Sequence, residues 1–142
     1  MNTVKEIFLC LKNEPGQLST VSELLGSSGI KIVAFYATND ESQGGIRFIS
    51  NDPEKALNIL KTSGYETNEK EVIACETPRH PGALNALLKP LKSANINIEY
   101  IYPCMGTGDN TVLILGVDPV QEVLKILEDN WIRTLGDELY ST

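Results

Sequence analysis

The chain is short of the residues on which most chemistry depends. Its 142 residues include one histidine, three cysteines, and twelve Lys and Arg against nineteen Asp and Glu. A formal charge of −7 works against nucleic-acid binding, whose affinity comes from cations that neutralise phosphates. It works equally against an anionic membrane surface. Cys10, Cys75 and Cys104 are odd in number and widely spaced, so they form no CxxC pair, metal signature or disulfide framework. A reducing, cytoplasmic setting is the simplest expectation. Long apolar runs are missing too. A membrane span takes about 20 apolar residues, whereas Ile7 to Leu11 is flanked at once by Lys5, Glu6 and Lys12. No signal peptide is expected from that pattern. The remaining composition, 42% hydrophobic and 22% charged, is that of an ordinary globular protein. Its length suits one domain or two small ones.

What the chain does contain is a second copy of itself. Pro15-Gly16 returns 66 positions later as Pro81-Gly82. At that spacing Ile7 matches Ile73, Leu18 matches Leu84, Leu25 matches Leu91, and Tyr36 matches Tyr102. Ile30 and Ile32 match Ile96 and Ile98, and Asp52-Pro53 matches Asp118-Pro119, with no gap required. An ordered series of this length marks an internal repeat. It predicts two domains, residues 1–70 and 71–142, with almost no linker.

Within each copy the apolar period changes in a fixed order. Residues 4–11 and 71–77 are short apolar runs that read as strands. From Gly16 the period becomes helical, with Leu18, Val21, Leu24 and Leu25 on one face; Leu84, Leu87, Leu88 and Leu91 repeat it. Gly29 and Asn95 suit left-handed helix ends. Ile30 to Thr38 and Gly45 to Ser50 read as a hairpin around 39–44, and Ile96 to Cys104 with Thr111 to Val117 as its repeat. Asp-Pro then opens a second helix, Asp as cap and Pro at the first helical position. Gly64 and Asn130 end it, and Tyr65 and Trp131 begin a last strand. Pro90 predicts a kink or restart near Leu88–Lys89. The fold class is α+β, two tandem ferredoxin-like βαββαβ units with antiparallel sheets. Each such unit is small for its own core, and its sheet edge and open sheet face invite a neighbour.

The loop from first strand to first helix carries the functional signal. Asn13-Glu14-Pro15-Gly16-Gln17-Leu18, a helix, and Gly29-Ile30-Lys31-Ile32 resemble the ACT domain family. So do His80-Pro81-Gly82-Ala83-Leu84 and Asn95-Ile96-Asn97-Ile98, and the two copies together span almost the whole chain. The resemblance implies small-ligand binding, most often of an amino acid, and regulation of amino-acid metabolism. It places the site where ACT units pair, between this loop and the second strand of a neighbour, with Ala34 to Tyr36 and Tyr100 to Tyr102 as the strand segments.

The loop also has a physical logic of its own. The first N–H groups of a helix lack internal partners and lie at the positive end of its dipole, which suits an α-carboxylate. Pro15 and Pro81 have no N–H. The donors are therefore Gly16, Gln17 and Leu18 in one copy, and Gly82, Ala83 and Leu84 in the other; Gly16 and Gly82 also admit a ligand close to the backbone. Asn13 suits an ammonium group. Arg79 in the second copy suits a carboxylate instead, which makes the loops unequal. His80 and the repeated tyrosines Tyr36 and Tyr102 complete the candidate ligand contacts. Glu14 reads as a solvated loop charge, and the cysteines as small core or interface residues. Asp40-Glu41 and Asp109-Asn110 belong to turns and form no metal-ligand cluster. No catalytic residue, metal or cofactor is expected.

The expected function is a non-catalytic, cytoplasmic amino-acid-binding regulator. It would work as a homodimer through ligand-dependent association and act on a metabolic enzyme or a transcription regulator, without touching nucleic acid or membrane itself. Two alternatives remain open. One is a regulatory subunit or structural pairing module of a biosynthetic enzyme such as acetolactate synthase. The other is a small enzyme on the same fold, for which only the Arg79-His80 loop offers chemistry.

Overall fold

Alternation along the first strand, β1 (Val4–Cys10), sends Ile7 and Leu9 into a fully buried core. The helix that follows, α1 (Gln17–Ser27), covers them with Val21 and Leu25. The computed structural model describes residues 2–12, 14–38, 44–105 and 108–141. Asn13 and the turn residues 39–43 and 106–107 lie outside that set. The next elements are β2 (Ile32–Thr38), β3 (Gly45–Ser50) and α2 (Pro53–Thr62). The second half of the chain has α3 (Ala83–Ser93), β5 (Ile98–Pro103), β6 (Thr111–Val117) and α4 (Val120–Asp129), then the short β7 (Thr134–Leu135) and a 3-10 turn, Asp137–Ser141. Between the halves runs β4 (Thr67–Thr77).

The contacts divide the chain into a first unit, Lys5–Lys70, and a second, Glu71–Thr142 with Met1–Val4. In the first the strand order is β2-β3-β1-β4; in the second it is β5-β6-β4, with β7 also on β4. Every pairing whose register is resolved is antiparallel. Each unit is a ferredoxin-like βαββαβ arrangement, as the sequence predicts. The helix faces of the two sheets hold separate cores, one around Ile7, Phe48 and Leu60, the other around Ile73, Leu115 and Leu127. Among the described residues no helix is long and apolar enough to cross a membrane.

Several local expectations are corrected. The last strand expected from Tyr65 and the strand expected at 71–77 are one continuous strand, β4, with residues 67–70 in the first unit and 71–77 in the second. Thr67-Asn68-Glu69-Lys70-Glu71 contains no Gly or Pro to turn the chain. Helix α3 runs unbroken through Pro90, so no restart occurs. Leu18 and Leu84 are each 49% exposed: they occupy the first helical turn, where the helical period continues past the core. Cys10 is exposed at the end of β1, while Cys75 is buried.

The repeat also contains a gap. Ile7 lies opposite Phe48, but Ile73 lies opposite Leu115, and Tyr36 faces Arg47 where Tyr102 faces Ile114. From β6 onward the spacing is therefore 67. The extra residue lies in the second hairpin, between Cys104 and Val112, which are joined by a backbone hydrogen bond of 2.8 Å. The buried faces agree: Ala56, Leu57 and Leu60 correspond to Val123, Leu124 and Leu127. Asp52 caps α2 by accepting from the Lys55 N–H at 3.1 Å. Asp118 has no such role, because Pro119 is the N-cap of α4 and makes no side-chain cap bond. The shift likewise moves the left-handed helix end from Asn130 to Trp131, at φ 63°, opposite Gly64 at φ 87°. Trp131 thus closes the helix and does not begin a strand.

Candidate functional site

Helix α1 starts from Gly16 at φ 85° and α3 from Gly82 at φ 86°. A side chain in that left-handed region costs about 1–2 kcal/mol, so the backbone itself calls for glycine at both positions. A Cβ at either would meet nothing within 4 Å, which leaves the approach open. Neither helix has a side-chain cap or an acidic residue in its first turn. Helices α2 and α4 do carry acids there, Glu54 and Glu122. The first turns of α1 and α3 are thus, among the four helices, the two without an acidic residue on the positive end of the dipole.

Around the start of α1 lies a cavity of about 450 Å³, within the range of about 300–1,000 Å³ typical of small-ligand sites. Its walls are Lys12, Glu14 and residues 16–19 on one side, and Ala37, Thr38 and Gly45 on the other. The sequence-predicted Gly16, Gln17 and Leu18 are therefore together at one opening. Tyr36, 40% exposed on β2, is not among the lining residues. Lys12 and Glu14 set a cation and a carboxylate at the same opening. That pair complements a zwitterion, and its signal was present in the sequence as opposite charges flanking Asn13.

The second loop is occupied by its own chain. Arg79 Nε donates to Thr111 Oγ1 at 3.1 Å, and Nη2 to the Gly108 carbonyl at 3.2 Å. The guanidinium therefore ties the loop to the β5–β6 hairpin. The Ala83 N–H donates to the His80 carbonyl at 3.1 Å, so one of the expected donors is already used. No matching bond from Gln17 to Glu14 occurs among the described residues. His80 is exposed, its Nδ1 3.0 Å from the Pro81 carbonyl oxygen. Leu84 faces solvent, Ala83 is buried, and Tyr102, 4% exposed, stacks on Tyr100 with centroids 6.2 Å apart. No group of three or more His, Cys, Asp or Glu side chains among the described residues is placed to hold a metal ion.

A family model described as an ACT domain pair matches residues 2–140. The chain belongs to the ACT domain pair family. Among solved structures, protein BT0572 from Bacteroides thetaiotaomicron is 26% identical, with a TM-score of 0.91 over 99% of this chain and 98% of its own. The regulatory subunit of aspartate kinase from Thermus thermophilus, in its ligand-free form, is 16% identical, with a TM-score of 0.63 over 92% of this chain and 94% of its own. That from Thermus flavus is 18% identical, with a TM-score of 0.58 over 89% and 92%. At these identities the likeness to the two kinase subunits is one of fold. No curated protein matches in sequence.

The first ACT unit thus has an open loop and the second a latched one. Sequence reasoning missed Lys12, Glu14, Ser19 and Thr38 as cavity walls. Only the folded hairpin brings Thr38 to a loop some twenty residues earlier in the chain.

Proposed function

We propose that this ACT pair is a non-catalytic, cytoplasmic regulator that binds an amino acid at the β1–α1 loop of its first unit. The observation that carries this reading is the cavity around Gly16, whose helix end holds no capping side chain and no acidic residue. An α-carboxylate there would accept from the N–H groups of Gln17 and Leu18 beside Lys12, and the ammonium would face Glu14. Leu18 and Ala37 offer apolar contact to the ligand's side chain. In the second unit Arg79, His80, Gly82, Ala83 and Leu84 form the corresponding loop; Tyr36 lies on the second strand of the first unit and Tyr102 on that of the second. Arg79 ties that loop to its own β5–β6 hairpin. Binding would favour one arrangement of a homodimer, which a metabolic enzyme or regulator then reads.

A thermal-shift screen against the common amino acids tests this directly. A ligand at 100 times its Kd adds roughly 2.7 kcal/mol, several degrees in Tm for a chain of this size. A selective shift that disappears in Gly16→Val, in protein whose far-ultraviolet circular dichroism is unchanged, is the expected outcome. No shift with any amino acid would leave the pairing-module alternative standing.

A further inference from the structure

One corner of the second unit departs from its counterpart in a concerted way. At the end of α4, Trp131 holds φ 63° where the first unit has Gly64. A non-glycine residue pays about 1–2 kcal/mol for that backbone, and the indole is 96% exposed, so neither geometry nor packing accounts for it. Trp131 borders a cavity of about 250 Å³ floored by Ala83, Ala86 and Leu87. The two alanines replace the larger Gln17 and Thr20 of the first unit.

The polar wall is new as well. Glu76, in place of Cys10, accepts from Arg133 Nη1 at 2.8 Å and from Asn110 Nδ2 at 2.5 Å. Arg133 in turn replaces Glu66, yet the backbone bond at this position is kept in both units, Cys10 N–H to the Glu66 carbonyl and Glu76 N–H to the Arg133 carbonyl. The side chains have changed on a fixed frame. Asp109 and Glu138 line the adjoining cavity, which shares Glu76, Asn110 and Arg133. The Glu138 carboxyl is held below its usual range by its own and the Gly136 backbone N–H groups, with Arg133 a lesser cause. Across the two adjoining cavities the carboxylates of Glu76, Asp109 and Glu138 thus accompany the Arg133 guanidinium, which Glu76 already engages, while Arg79 reaches the Gly108 carbonyl at their edge.

We propose that this corner is a second, separate ligand site, selective for a small organic ammonium compound with a flat apolar body. The body would lie on Ala83, Ala86 and Leu87 with Trp131 closing against it, and the ammonium would be drawn to Glu76. The exposed indole offers the flat body an aromatic face to stack on, and the excess of carboxylates around the corner disfavours an anion.

Trp131 is the only tryptophan in the chain, so its emission reports the site directly. Titration with 2-phenylethylammonium should give a saturable change. The neutral 2-phenylethanol should bind at least tenfold more weakly, and 3-phenylpropanoate should give no saturation. Glu76→Gln should weaken the ammonium at least tenfold, and Ala86→Leu, at an exposed helix position, should abolish the response; both keep the reporter. Trp131→Gly, read by calorimetry, should lose the ammonium while keeping the fold. Equal responses to all three probes, or none, would overturn the assignment. So would a Trp131→Gly protein whose mass in solution falls by half, which would make the indole a protein–protein contact. None of these outcomes depends on the loop at Gly16.

Discussion

The same pair of strand positions is solved in opposite ways by the two units. In the first, Ala34 on β2 faces Ile49 on β3; in the second, Tyr100 on β5 faces Gly116 on β6. The bulk has crossed from one strand to the other. A Cβ on Gly116 would run into the Tyr100 ring, so this glycine serves room and not a turn. What is conserved between the copies is the volume of the pair, not the residue at either position. The loops differ in the same spirit, with a shared Pro-Gly frame, an open mouth at Gly16 and an arginine latch at Gly82.

The most damaging way to break this comparison is Gly116→Ile. It should destabilise the protein by about 3 kcal/mol through overpacking, seen as a lower urea midpoint. Adding Tyr100→Ala rebuilds the first unit's pair and should recover most of the loss. A double variant no more stable than the single would show that the two positions do not exchange volume.

The helix caps sharpen the comparison on a smaller scale. Asp52→Ala removes the bond to the Lys55 N–H and should cost about 1 kcal/mol. Asp118→Ala, the same residue in the same dipeptide, should change stability by less than about 0.5 kcal/mol. Equal losses would contradict the shift of spacing to 67 in the second unit.

The thiols follow the same division. Burial pushes the Cys75 and Cys104 thiols of the second unit up to about 12, whereas Cys10 of the first is exposed. At pH 8 iodoacetamide should modify Cys10 at least tenfold faster than the other two. The sign for stability follows from the buried pair. An unfolded chain releases these protons near the ordinary value of 9, and the folded one holds them to about 12. Their contribution is whole below pH 9 and is lost as pH rises towards 12, so the urea midpoint should fall across that window.

The gentlest change is Arg79→Ala. It breaks two exposed hydrogen bonds and should alter stability by less than about 1 kcal/mol. Calorimetry with an amino acid that binds the first loop should then find a second site in each chain. An unchanged stoichiometry would mean that the second loop is closed by more than its latch.

Much of this architecture was legible because local signals agreed. The Pro-Gly pairs, the left-handed ends at Gly29 and Asn95 and the apolar faces of α1 and α3 all recur at 66, and each is fixed by local chemistry within a few residues. The misreadings came from where local chemistry is silent. Asp-Pro recurs at 66 while the helix it precedes recurs at 67, so the dipeptide concealed the extra hairpin residue. Helical period gave Leu18 and Leu84 a face but not the fact that the core ends beneath them. The Arg79 latch joins residues about thirty positions apart, and nothing in either segment alone announces it.

The division of the chain has a last consequence, for synthesis. Met1–Val4 belongs with the second unit, and Asn2 Nδ2 donates to Thr134 Oγ1 at 3.1 Å across 132 positions. At about 5–20 residues per second, a ribosome releases Thr134 roughly 7–26 s after Asn2. For that interval Asn2 lacks its partner, while every residue of the Lys5–Lys70 unit is already made. Asn2 is thus fastened only after the strand that carries Thr134 has been made.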